Sequence, residues 1–157
     1  MIDFTPGSYL TRRRTIAGLG LTQAGTNAAA HPCCQIVPTR AGRFDPLHRN
    51  RTLARLIRAE EDKAPLTFHE AEGLAHVIPF DPAVYLALVD IHLAGEASYA
   101  APPRLCRHCA CSQHDPCGED DNPCGWAEAS SSEAVGKNEA DLCCECAAAP
   151  RQLEDAA

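Results

Sequence analysis

Apolar residues recur at helical spacing in five stretches of the chain, separated by proline, glycine and polar breakers. Thr5 is a capping residue ahead of Pro6, and Tyr9, Leu10, Ile16 and Ala17 give the first helix its apolar surface. Gly18 and Gly20 end it, and Leu21-Thr22-Gln23-Ala24 begins a second, short helix. Residues 25–47 contain Gly25, Pro32, Pro38, Gly42 and Pro46, which predicts a long loop or distorted turn. A third helix is expected from about Arg49 to Glu61, with Leu53, Leu56 and Ile57 on one side. Arg51, Arg55 and Arg58 fall within about 60° of one another on the opposite side, so three guanidiniums should point outward. Thr67 and Glu70 have capping-box spacing for a fourth helix that buries Phe68, Ala71, Leu74, Ala75 and Ile78 and stops before Pro79. Asp81-Pro82 opens a fifth, with Val84, Tyr85, Leu88 and Ile91 on its apolar face, ending at Gly95. The fold class is therefore mainly α. Residues 1–95 form a small helical bundle, 96–104 a linker stiffened by Pro102-Pro103, 105–148 a cysteine-rich module, and 149–157 a frayed tail.

Composition adds a constraint. The 157 residues include four Phe, three Tyr and one Trp, so a large core is not expected and something else must help hold the chain together. No apolar run reaches the roughly 18 residues of a membrane span. The net charge of −7 hides an asymmetry, because residues 1–58 carry nine arginines against Asp3 and Asp45 while nineteen acids follow. A basic front of this kind suits a polyanion partner.

The order of the helical segments resembles the lambda-repressor-like, or XRE-type, helix-turn-helix domain. Leu10 with Arg13 and Arg14, then Ala17-Gly18-Leu19 and Leu21-Thr22-Gln23, look like its first helix, turn and second helix. Pro65-Leu66-Thr67-Phe68, Leu74-Ala75, Phe80-Asp81-Pro82 and Leu86 look like its last two. The stretch from Ala24 to Arg49 is longer than that family's, and Ala59-Glu60-Glu61-Asp62 stands where it closes the recognition helix with glycine. The resemblance implies duplex DNA as partner. Residues 49–59 would be the recognition helix, using Arg51, Arg55 and Arg58, with Arg12, Arg13 and Arg14 near the phosphate backbone.

Eight of the ten cysteines fall between residues 106 and 146. The Cys-x-x-Cys pairs Cys106/Cys109 and Cys143/Cys146 bracket the segment, and two such turns complete a tetrahedral four-thiolate shell. Zinc is the expected ion, with iron the chemical alternative. Cys111, Cys117 and Cys124 either hold a second zinc, with His114 or Cys144 as fourth ligand, or include ligands of the first. His108 reads as a surface residue, and the adjacent Cys33 and Cys34 as free buried thiols. The run of seven cysteines with Trp126 and Leu142 also resembles a small zinc-binding module of phage and mobile-element proteins. Here Cys144 is an extra thiol, and a polar insertion follows Trp126.

These features predict a cytoplasmic, zinc-binding, DNA-binding transcriptional regulator of phage or mobile-element type. Glu119-Asp120-Asp121 would turn the cysteine module away from DNA and toward a protein partner or self-association. One alternative is a zinc-stabilised interaction adaptor that does not bind DNA. Another is an exported protein, because Thr11-Arg12-Arg13-Arg14 before a mildly apolar stretch is reminiscent of a twin-arginine signal. No phosphate-binding glycine loop, nucleophile elbow or deaminase-type His-x-Glu occurs, so a non-enzyme is expected.

Overall fold

Thr5 takes the first helix out of the extended region. Its hydroxyl accepts from Ser8 N at 3.1 Å, and Ser8 Oγ accepts from Thr5 N at 2.9 Å, closing a capping box. The computed structural model describes residues 4–34, 46–98, 101–112, 115–117, 124, 142–143 and 146. Among them are α1 (Pro6–Ile16), α2 (Leu21–Ala30), α3 (Pro46–Glu60), α4 (Phe68–Ala75) and α5 (Pro82–Ala94), with a single 3-10 turn at Gly95–Ala97 and no strand. The protein is mainly helical, with a cysteine-rich cluster toward its C-terminal part. Two compact units meet in sequence between Pro103 and Arg104, and all five helices belong to the first.

Within that unit α3 packs on α1 and α2, α1 also on α5, and α4 on α5. The core contains Tyr9, Leu10, Leu56, Leu74, Ile78 and Tyr85, all fully buried. Phe80 lies edge-on to Tyr9 and Tyr85, with ring centroids 6.3 and 6.0 Å away. Each tyrosine hydroxyl accepts a backbone N–H at a helix start: Tyr9 from Asp81 at 3.1 Å, Tyr85 from Leu66 at 2.9 Å. The two aromatic side chains thus supply packing area and also fix where α4 and α5 begin.

Several elements differ from what the pattern predicts. α2 runs through Gly25 to Ala30, where a loop is expected. The glycine is what lets the neighbouring helix in, since a Cβ there would sit 3.0 Å from Leu53 Cδ1 on α3. α3 starts at Pro46 rather than near Arg49, and α4 ends at Ala75, leaving Ile78 buried beyond it in a turn. Phe68, expected in the core, is 52 % exposed. It is the first residue after the Thr67 cap, and Leu66 and Ala71, at the positions of a hydrophobic staple, are buried instead.

The buried line of α3 is Thr52, Leu56 and Ala59, with Leu53 and Ile57 only half-buried. That line is rotated by roughly 80° toward the arginine stripe relative to Leu53-Leu56-Ile57. Close approach of α1 explains the rotation, because a Cβ on Gly7 would collide with the Glu60 carbonyl.

Candidate metal centre

Local backbone geometry gathers the first three thiols of the second unit. Cys106 N donates to Cys111 O at 3.0 Å and Ala110 N to Cys106 O at 2.8 Å, folding residues 106–111 into a tight loop. Ala110 completes the reversal in the left-handed region, at φ 57° and fully buried. Cys106, Cys109 and Cys111 consequently face inward together, each buried, and Cys143 joins them from far along the chain. Cys117, Cys124, Leu142 and Cys146 pack around this centre, half-buried.

Two sets of four sulfur ligands result, each with all its sulfurs within 4.8 Å of one another: Cys106, Cys109, Cys143 and Cys146, and Cys109, Cys111, Cys117 and Cys143. The Sγ–Sγ separations are 3.7 Å for Cys109–Cys143, 3.6 Å for Cys117–Cys143 and 3.7 Å for Cys111–Cys124. A tetrahedron with metal–sulfur bonds of about 2.3 Å has edges of about 3.8 Å, so these spacings suit a bound ion. They are far beyond a disulfide bond, and none of the described cysteines forms a disulfide. Either set can hold a metal ion.

Electrostatics within the cluster favour the same use. Thiol hydrogen bonds from Cys109 and Cys111, with backbone N–H groups of Cys109 and Cys143, pull Cys106 far below the usual thiol range against its burial. The donor role toward Cys106 and Cys109, together with burial, pushes Cys111 up. Burial likewise raises Cys117 and Cys146, and it lifts Cys143 to about 11 despite hydrogen bonds from Cys146. Without a cation one thiolate forms readily and its neighbours resist; a divalent ion supplies the charge that lets a full shell ionise. Cys143 N toward Cys106 Sγ (3.4 Å) and Cys117 N toward Cys124 Sγ (3.1 Å) are backbone donors of the kind that steady bound thiolates.

The four bracketing cysteines therefore converge as their spacing predicts. The pattern does not reveal that Cys111 and Cys117 share Cys109 and Cys143 with them, although a third cysteine two residues after a knuckle is a signal for it. His108 is exposed, as expected of a surface residue. Cys34 is buried, whereas Cys33, expected to be buried, is exposed on a turn. His114, Glu119-Asp120-Asp121, Trp126, the insertion after it, Cys144 and the tail lie outside the described residues.

The arginines divide into two groups. Arg12, Arg51 and Arg58 are exposed. Arg13 is 5 % exposed and donates Nε to the Pro79 carbonyl at 2.9 Å. Arg14 grips Glu60 through Nε (2.6 Å) and Nη2 (2.9 Å) and caps Leu19 O through Nη1 (2.7 Å). Its bond to Glu60 raises its already high pKa, against burial. Arg55 is bound to Glu70 and to the Ala64 and Pro65 carbonyls. The expected outward trio on α3 is thus corrected to Arg51 and Arg58, because rotation of the helix brings Arg55 against the α3–α4 connection.

The acidic cluster that ends α3 also has an internal task. Asp62 occupies the left-handed closing position, at φ 56°, and its Oδ1 accepts from Gly7 N at 2.7 Å at the start of α1. Comparison with family models, curated proteins and solved structures finds no match for this chain.

Proposed function

We propose that this chain is a zinc-binding regulator whose cysteine module is held by metal and whose helical unit contacts duplex DNA. The observation that carries the metal assignment is the pair of overlapping, thiol-only tetrads, three of whose six cysteines are at most 1 % exposed. Soft thiolates in tetrahedral array suit zinc, and a four-thiolate shell leaves no open position for a substrate. A structural rather than catalytic role follows, and this many cysteines without a disulfide suit a reducing cytoplasm.

DNA contact is supported by the basic front of the sequence and by exposed Arg12, Arg51 and Arg58. With three phosphates neutralised, log affinity should fall against log salt with a slope of about −3. Fluorescence anisotropy with a labelled duplex at increasing salt tests this. Replacing Arg51 and Arg58 with alanine should weaken binding across sequences while leaving the helical content intact, and unchanged binding refutes the role of α3.

A second reading, an interaction adaptor that does not bind DNA, is favoured by the internal engagement of Arg13, Arg14 and Arg55. It predicts no anisotropy change even at low salt. The export reading draws less support, since Tyr9 and Leu10 of α1 and Ala24 and Ala28 of α2 belong to the core that cleavage near residue 30 would remove.

A further inference from the structure

Four-coordinate ions at both tetrads need eight thiolate corners, and the described cluster offers seven sulfurs. Cys109 and Cys143 are the two that belong to both tetrads. Cys143 is 1 % exposed, and its sulfur lies 3.7 Å from Cys109 on one side and 3.6 Å from Cys117 on the other, a member of each set. Cys109 is tied by the tight loop to Cys106, its partner in the first tetrad. Cys124, the seventh sulfur, lies 3.7 Å from Cys111, the length of a tetrahedral edge, and 3.3 Å from Cys117, beside the second tetrad.

We infer that the module binds two divalent metal ions as one thiolate-bridged cluster, with Cys143 as the bridge. The first ion takes Cys106, Cys109, Cys146 and Cys143; the second takes Cys111, Cys117 and the same Cys143 from the second tetrad, with Cys124 in the place of Cys109. Sharing a corner has an electrostatic benefit as well as satisfying the count. It removes one negative charge from a group of buried thiolates that would repel one another as two separate four-thiolate shells. Backbone donors remain for terminal sulfurs, from Cys143 N to Cys106 and from Cys117 N to Cys124.

This inference rests on the metal assignment above and deepens it, and one experiment separates their failures. The full chain is loaded with an NMR-active cadmium isotope, and the cadmium spectrum is recorded directly. A shared sulfur transmits scalar coupling between the two ions, so the expected result is two resonances, each split by the other. In Cys124→Ser, which replaces a terminal corner, the splitting should persist while the second ion's resonance shifts strongly. A single resonance, with one cadmium per chain, overturns the bridged pair and leaves the metal-held module standing. Two unsplit resonances also overturn it, because separate shells then draw an eighth donor from elsewhere. A spectrum unaltered in Cys124→Ser overturns that residue's place in the second shell. Absence of any bound cadmium overturns both the cluster and the metal assignment.

Discussion

Arg55 on α3 and Glu70 on α4 form a two-pronged ion pair, with Nε donating to Oε1 at 2.9 Å and Nη2 to Oε2 at 2.7 Å. The same carboxylate accepts from Thr67 N at 2.7 Å, so one side chain closes the α4 cap and ties α3 to it. Burial pushes the Glu70 carboxyl up, but its bonds to Arg55 and Thr67 outweigh this and hold it below the ordinary 4.5. A depressed carboxyl contributes stability in full above the unfolded value, and that contribution disappears as pH falls through the lower folded value. Glu70→Gln should therefore cost about 1–2 kcal/mol at neutral pH in urea unfolding. The gap between variant and parent should narrow on acidification below 4.5. A gap that stays constant with pH would show that the charge of Glu70 is not what matters.

Asp62 combines an unfavourable backbone region with a favourable hydrogen bond to Gly7. Asp62→Ala keeps the left-handed strain and loses the bond, whereas Asp62→Gly loses the bond but relieves the backbone. Alanine should be the more destabilising of the two by about 1 kcal/mol, measured by denaturant melts of both variants. Equal stabilities would mean that the φ of 56° carries no cost.

Ala110 holds the corresponding position in the cysteine loop, with φ 57°. Ala110→Gly should relax the loop and slow metal release to a competing chelator by up to about fivefold, the equivalent of roughly 1 kcal/mol. Ala110→Val should accelerate it, because a β-branched residue tolerates this region worst. Release kinetics followed with a chromogenic chelator distinguish the two directions.

Local chemistry was the part of the fold most legible in the sequence. Thr5, Thr67 and Asp81 cap the helices their spacing predicts, and the two Cys-x-x-Cys pairs converge on one centre. What stayed hidden depends on contacts between distant residues. Glu60 and Arg14 are 46 positions apart, and neither residue type nor spacing announces their pairing. The face that α3 buries differs from the periodic one because periodicity weighs Leu53 and Ile57 by hydrophobicity, whereas close approach selects the smaller Thr52 and Ala59. Sharing of Cys109 and Cys143 between two tetrads is likewise a property of the fold, since a list of cysteine spacings assigns each thiol only once.

Elemental analysis of the full chain, purified under reducing conditions without chelator, decides whether metal holds the second unit. One or two zinc ions per chain are expected, together with loss of order around the Cys106–Cys111 loop when a strong chelator strips them. A chain that carries no transition metal, and whose second unit stays folded in that chelator, would contradict it.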